Sequence, residues 1–278
     1  MDSLLSGSIA GIVADVATHP LGTVKTRLQV QGASASSLTR YGGVAQGLTR
    51  ILTKEGVGAL YKGVGVVVAT AAPAQGLFFL GNDTAREALR PHLPAAAASF
   101  AAGCVAQLCG SLCWVPMDTV KERLQVEGQL KRGSKAELGG SWNAVRTILR
   151  REGLRGFYPA YWVHRATWAP FNGLFFAIYE ACKEYTNGLC SGVVAGVAAG
   201  FLTNPMDLVK TRLQVMRADP STFAYAGAFD CIGQILRREG PLAFLDGAIA
   251  RCATVAPRLT ICVLVKDAIA PGVKDLVG

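Results

Sequence analysis

The residues best placed to do chemistry are charged side chains that recur at fixed spacing within apolar stretches. Three segments share a proline, a lysine at the fifth position after it, and then an arginine and a glutamine. In the second and third segments the second position after the proline is an aspartate, whereas in the first it is glycine. The segments are Pro20-Leu-Gly-Thr-Val-Lys-Thr-Arg-Leu-Gln29, Pro116-Met-Asp-Thr-Val-Lys-Glu-Arg-Leu-Gln125 and Pro205-Met-Asp-Leu-Val-Lys-Thr-Arg-Leu-Gln214. Charges in apolar surroundings are costly unless they are paired. The chemistry indicated is therefore reversible ion pairing rather than bond making.

Helix geometry explains how these charges meet. The acid and the lysine of a segment are three residues apart, so they share one helical face. Three such helices in a ring bring each acid to the lysine of the next copy, which makes a gate that can separate. Proline removes a backbone donor and bends a helix, so kinks are predicted at Pro20, Pro116 and Pro205.

Other kinds of chemistry have no matching residue pattern. The three histidines are scattered, and the eight cysteines include no C-x-x-C pair and lie mostly among small apolar residues. Metal sites need clustered ligands, and buried thiols are typical of a reducing compartment. We expect no metal, no cofactor and no enzymatic reaction.

The composition is that of a polytopic membrane protein. Apolar residues make up 51% of the 278 residues, charged residues only 17%, and mean hydropathy is +0.32. Soluble domains carry roughly 25% charged residues. Glycine is abundant, and small residues four apart favour close helix contact in lipid. Two such patterns are predicted packing faces: Gly7 with Gly11, and the series Gly188, Gly192, Gly196 and Gly200.

The whole chain is a threefold repeat. Each charged segment is followed by Glu-Gly and then by Ala-Thr-x-Ala-Pro at nearly constant offsets. Each copy predicts a long helix, a loop with a short amphipathic helix, and a second helix long enough for the ~30 Å hydrocarbon core. The predicted long helices cover about 4–30, 63–90, 96–127, 160–186, 187–216 and 247–270, within copies spanning 1–92, 93–186 and 187–278 that form one domain.

The net charge of +9 reflects topology. The three stretches inside the copies, 25–62, 121–158 and 210–246, hold 20 basic and 9 acidic residues. Short connections between copies place all three stretches on one side of the membrane, and basic loops mark one membrane face. The basic excess therefore gives no reason to expect a nucleic-acid partner.

On the three charged motifs and their downstream landmarks, the chain resembles the mitochondrial carrier family, also called solute carrier family 25. The resemblance covers essentially the whole chain. It implies an all-α membrane fold with six transmembrane helices in three pseudo-symmetric repeats, short matrix-side amphipathic helices and one central cavity. It also implies a multi-pass monomer of the mitochondrial inner membrane that moves a small-molecule metabolite by alternating access and contacts lipid, with cardiolipin the family expectation.

The resemblance implies a matrix gate built from the motif charges. The implied pairs are Asp118 with Lys210 and Asp207 with Lys25, braced by Gln29, Gln125 and Gln214. Gly22 stands where the third acid is expected, which leaves Lys121 without its family partner.

A second gate is implied at the opposite, cytoplasmic end, ten residues after each second-helix proline. Its three elements are Asn82-Asp83-x-x-Arg86, Tyr179-Glu180-x-x-Lys183 and Lys266-Asp267-x-x-Ala270. Pairs of Asp83 with Lys183 and of Asp267 with Arg86 fit the family scheme, and Lys266 is the candidate partner for Glu180. Each gate lacks one family pair, which predicts a low barrier between the two states.

The substrate contact positions implied by the family lie two and three residues before each second-helix proline. They are Thr70 and Ala71, Thr167 and Trp168, and Thr254 and Val255. Asp15 and Arg258 are charges within membrane helices and so are functional candidates, the alternative being that they merely pair with each other.

One acid, one base and several aromatic rings suit a cation bound by charge and ring faces. We therefore predict a zwitterionic or cationic cargo such as S-adenosylmethionine, carnitine or an amino acid. The alternatives are a non-transporting adaptor or receptor and a proton or fatty-acid leak protein.

Overall fold

The computed structural model describes residues 2–33, 38–130, 138–219 and 222–277, which form α-helices joined by short turns and 3-10 segments. The α-helices are α1 (Asp2–Val30), α2 (Val44–Glu55), α3 (Val57–Leu60), α4 (Val64–Leu89), α5 (Ala95–Val126), α6 (Ser141–Glu152), α7 (Tyr161–Cys182), α8 (Gly188–Leu202), α9 (Asn204–Val215), α10 (Ala228–Arg238) and α11 (Ala248–Val277). The predicted all-α membrane fold is confirmed, with α8 and α9 together forming the fifth long helix.

The three motif prolines differ in their local effect. Helices α1 and α5 continue through Pro20 and Pro116, whereas the chain before Pro205 breaks into α8 and α9, which meet at 65°. At the break, Thr203 donates its hydroxyl to the carbonyl of Ala199, and the Asn204 amide donates to the carbonyl of Phe244. These two side chains therefore hydrogen-bond to main-chain carbonyls close to the point where proline interrupts the hydrogen bonding of the helix.

Membrane-spanning character is clear for part of the described chain from composition alone. Val57–Leu89 and Pro241–Val265 are long and apolar enough to cross a membrane, and the bent α8–α9 pair qualifies when its halves are taken together. Helices α1 and α5, with 29 and 32 residues, are also long enough for the ~30 Å hydrocarbon core.

The second long helix of each repeat packs along the first helix of the next, so α4 lies on α5, α7 on α8 and α11 on α1. Glycine permits part of this packing: a Cβ added at Gly196 would lie 2.6 Å from Leu259 and 2.9 Å from Val255. At Gly7, Gly11 and Gly192 the predicted packing face was wrong as far as the described residues go, because an added Cβ there meets none of their atoms within 4 Å.

On the matrix side, each amphipathic helix buries its apolar face against its own repeat. Ile51 of α2, Ile148 of α6 and Ile235 of α10 occupy equivalent places in three separate hydrophobic clusters. A fourth cluster joins the repeats at the centre; it contains Val30, Leu38, Val126, Val215 and Phe223. This central cluster closes the matrix end below the charged motifs.

Candidate functional site

Two ion pairs close the ring of helices at the matrix end. Lys25 Nζ lies 2.5 Å from Asp207 Oδ2, which joins α1 to α9. Lys210 Nζ lies 2.7 Å from Asp118 Oδ2, which joins α9 to α5. Both carboxylates are buried. The charges that the motif repeats in sequence are thus brought together in one buried layer, here called the matrix gate.

The third side of the matrix gate is built differently. Lys121 Nζ lies 2.7 Å from Asp118 Oδ1 of its own helix, and a Cβ at Gly22 would meet nothing within 4 Å. In the described chain no ion pair joins α1 to α5 at this level. Instead, the Thr26 hydroxyl donates to Gln125 Oε1 over 2.8 Å.

The three motif glutamines are not equivalent. Gln29 donates its amide N–H to Asp207 Oδ2 over 2.9 Å, so it touches an acid of the matrix gate. Gln125 accepts from Thr26, and the Gln214 amide, oriented with its nitrogen inward, donates to Glu122 Oε2 over 2.6 Å. Of these three, only Gln29 contacts an acid of a motif ion pair in the part of the chain described.

The motif arginines form a second layer that the sequence argument left out. In each repeat the arginine pairs with the glutamate of the Glu-Gly element: Arg27 with Glu55, Arg123 with Glu152 and Arg212 with Glu239. Each arginine Nε also donates to the main-chain carbonyl of a motif glutamine in another repeat; the acceptors are Gln125, Gln214 and Gln29. The threefold recurrence of both residue types was the available signal for this layer.

Three further buried polar groups near the matrix gate were also missed. Arg251 Nη1 lies 3.7 Å from Asp207 Oδ2, and His164 Nδ1 lies 3.5 Å from Asp118 Oδ2. Both residues stand six positions before a second-helix proline, in repeats two and three. The third group is Glu122, whose Oε1 lies 3.6 Å from Lys210 Nζ.

The charges predicted to form a cytoplasmic gate are apart in this structure, as far as their side chains are described. Asp83, Arg86, Glu180 and Lys183 are exposed, and Lys183 pairs with Glu180 of its own helix. No ion pair between different helices occurs at this end among the side chains described. The expected contact between Asp83 and Lys183 is therefore not formed in this state.

The remaining members of that gate are Lys266 and Asp267, whose side chains lie outside the described residues. The described charges are thus paired between helices at one end of the bundle and apart at the other, which is the arrangement expected of a carrier open toward the cytoplasmic side.

The two charges within the membrane helices contact each other. Arg258 Nε of α11 lies 2.5 Å from Asp15 Oδ1 of α1, while the two side chains stay 42% and 34% exposed. Both residues lie near the middle of long helices, where an ionisable side chain is expected to face the space enclosed by the helices, here called the central cavity. On that expectation the pair belongs to the cavity wall.

The predicted contact positions present mostly uncharged groups. The threonine hydroxyls donate to carbonyls one helical turn earlier: Thr70 to Val66, Thr167 to Val163 and Thr254 to Ala250. Ala71 is half-buried, Val255 lies against Gly196, and Trp168 is 43% exposed. Because each hydroxyl proton is already donated to a main-chain carbonyl, these oxygens can still accept a hydrogen bond from a ligand but cannot donate one.

Helix α7 carries a row of aromatic rings. Trp168, Phe171, Phe175 and Tyr179 follow one another with ring centroids 5.4, 6.3 and 6.1 Å apart. The Arg251 guanidinium lies 5.6 Å from the Phe171 ring centroid. The row supplies apolar faces and attraction for cations.

Three helical repeats around a half-open cavity, closed at one end by separable ion pairs, define a membrane solute carrier. The model of the family described as mitochondrial carrier protein matches residues 1–93, 94–188 and 184–274. The chain belongs to the mitochondrial carrier family and is a multi-pass protein of the mitochondrial inner membrane. Members of this family are transporters, not enzymes, and the partner of this chain is a small-molecule metabolite.

Curated relatives cover nearly the whole chain. "Mitochondrial substrate carrier family protein E" of Dictyostelium discoideum is 34% identical over 99% of this chain and 96% of its own length. The human "Electrogenic aspartate/glutamate antiporter SLC25A12, mitochondrial" is 33% identical over 92% of this chain but only 38% of that protein. "Probable S-adenosylmethionine carrier 2, chloroplastic" of Arabidopsis thaliana is 33% identical over 88% of this chain and 67% of the relative.

Proposed function

We propose that the protein moves a zwitterionic metabolite with an amino-acid-like head group by alternating access, exchanging it across the membrane. The observation that carries this proposal is the partly exposed ion pair between Asp15 and Arg258 near the middle of two membrane helices. A bound zwitterion places its ammonium against Asp15 and its carboxylate against Arg258. Each protein charge then exchanges one opposite charge for another, so no buried charge is left unpaired.

The surroundings of this pair support a cargo of low net charge. Threonine occupies one contact position in every repeat, where an arginine would favour phosphates or dicarboxylates. Trp168 and Phe171 add ring faces suited to a sulfonium, a quaternary ammonium or a planar base. Two of the relatives above are named for aspartate/glutamate and for S-adenosylmethionine, and each of these cargoes carries an amino-acid head group.

Transport then follows from exchanging one closed gate for the other. Cargo enters from the cytoplasmic side. Its binding energy stabilises the transition state, in which both gates are partly separated, and so lowers the barrier between the two open states. Release toward the matrix requires the contacts of Lys25 with Asp207 and of Lys210 with Asp118 to break. Pairing of Asp83 with Lys183 at the other end offsets part of that cost.

The test is uptake of labelled cargo into liposomes containing the purified protein and a matched internal substrate. We expect exchange of at least one among S-adenosylmethionine, glutamate, aspartate, carnitine and arginine, with a matching rise in melting temperature, because a ligand of the folded state stabilises it. If none of these compounds is taken up and none raises the melting temperature, the result supports the adaptor alternative. Proton flux that is unchanged by Asp15→Asn and Arg258→Ala would support the leak alternative.

A further inference from the structure

Glu122 is a buried acid to which the family motif assigns no role. It follows Lys121 directly, and the equivalent residues in the other repeats are Thr26 and Thr211. Its side chain is only 3% exposed. An ionised carboxylate at such depth is retained only where cations or hydrogen-bond donors compensate the loss of water.

The compensation comes from the matrix gate. Lys210 Nζ lies 3.6 Å from Glu122 Oε1, and the Gln214 amide donates to Glu122 Oε2 over 2.6 Å. Glu122 also lies within electrostatic range of Lys25 and Lys121. In the part of the chain described, it is the one acid outside the motif positions that lies within ion-pair distance of a motif lysine.

The charges of the layer explain why this acid is needed. The motif supplies three lysines but only two acids, Asp118 and Asp207, because position 22 is glycine. We propose that Glu122 supplies the third negative charge of the matrix gate in place of the missing acid at position 22, and so biases the carrier toward the matrix-closed state. It is a positioning residue that acts through Lys210 and does not contact cargo.

The hydrogen bonds show how one position performs both tasks. In the other repeats the threonine donates to a glutamine: Thr26 to Gln125 Oε1 over 2.8 Å, and Thr211 to Gln29 Oε1 over 3.0 Å. Opposite Glu122 the Gln214 side chain is turned so that its amide nitrogen, not its oxygen, faces the partner, and Gln214 donates the hydrogen bond. The contact between neighbouring repeats is kept, and a negative charge is added between α5 and α9.

The test separates charge from hydrogen bonding and needs no transported cargo. Glu122→Thr installs the residue of the other two repeats, so it removes the charge while keeping a hydroxyl that can bond to Gln214; Glu122→Gln removes the charge at nearly constant shape. The reporter is Val30→Cys, which lies in the buried central cluster of the closed matrix end. Maleimide labelling of purified protein in detergent is followed by peptide mass spectrometry, with the exposed Cys190 as the internal reference.

We expect Glu122→Thr to raise the labelling rate at position 30 about tenfold relative to Cys190, since a population ratio changes tenfold for each ~1.4 kcal/mol. Adding Gly22→Asp should return the rate toward its original value, because position 22 has open space for a side chain. Glu122→Gln, which keeps the side-chain shape, should also accelerate labelling. Melting curves and gel filtration verify that each variant is folded.

Two results would overturn the proposal. One is an unchanged labelling rate in folded Glu122→Thr and Glu122→Gln, which would mean that Glu122 only holds Gln214. The other is accelerated labelling that Gly22→Asp leaves uncorrected, which would mean that the variants loosen packing rather than remove a gate charge. Neither result bears on the identity of the cargo, so failure here is distinct from failure of the proposed function.

Discussion

Gln29 donates its side-chain N–H to the same Asp207 oxygen that Lys25 contacts, over 2.9 Å. The amide therefore gives α1 a second, uncharged contact with this buried carboxylate beside that of the lysine. The equivalent Gln125 binds Thr26 instead and leaves Asp118 to two lysines. One of the two gate acids thus has a neutral donor, and the other depends on cations alone.

Gln29→Ala should weaken the matrix-closed state more than Gln125→Ala. Removing a hydrogen bond to a charged buried group costs about 1.5–3 kcal/mol, against about 1 kcal/mol for a neutral pair. We expect a larger fall in melting temperature for Gln29→Ala in the cargo-free protein. Equal losses for the two variants would show that the contact with Asp207 has no special weight.

Neutralising one member of the cavity pair should impair transport without unfolding the protein. Asp15→Asn leaves Arg258 unpaired but accessible to water in the cavity, so the stability loss stays below the ~3–5 kcal/mol of a fully buried broken pair. We expect at least a tenfold fall in kcat/KM for uptake in liposomes. The matched control is Asp83→Asn, at the open end, which should change kcat while leaving KM nearly unchanged.

The glycines on α8 offer a direct test of helix packing. Gly196→Ala places a methyl group 2.6 Å from Leu259 and 2.9 Å from Val255, and overpacking of this kind costs about 1–3 kcal/mol. Gly192→Ala, in open space on the same helix, should be neutral or slightly stabilising. Melting temperatures of the two variants in the same detergent decide the point, and an equal response contradicts the packing role of Gly196.

The buried thiol of Cys231, in the matrix-side helix α10, should make the stability of the folded chain decrease at alkaline pH. Burial raises the pKa of the Cys231 thiol to about 12, whereas an unfolded thiol titrates near ~8.5. Its contribution is present below ~8.5 and is lost as pH rises toward 12, because the unfolded chain releases a proton that the folded chain keeps. The melting temperature should fall less steeply with pH in Cys231→Ala than in the unchanged chain, and parallel curves would refute this assignment.

Threefold repetition made the fold and the ion-pair layer accessible from sequence. Motif charges that recur in register had to meet when the helices formed a ring, and Lys25 and Lys210 do contact the acids of neighbouring repeats. The turn of Lys121 back onto its own helix was not accessible, because it depends on a side-chain rotamer beside an unoccupied position 22. Glu122 escaped notice because a residue that breaks the repeat has no counterpart to flag it.

The separate clusters beneath the membrane helices have a mechanical consequence. Each of the three peripheral clusters consists of residues of one repeat and one residue from the repeat before it, at or near the start of that repeat's second long helix. These added residues are Ala250 in the cluster of repeat one, Val66 in that of repeat two and Ala160 in that of repeat three. The apolar contacts within each of these clusters are therefore largely separate from the contacts that join the repeats at the centre. In the transport cycle proposed above, opening toward the matrix disrupts the small apolar cluster at the pseudo-threefold axis and the ion pairs above it, so the free-energy cost of that step falls on a few side chains at the centre of the molecule.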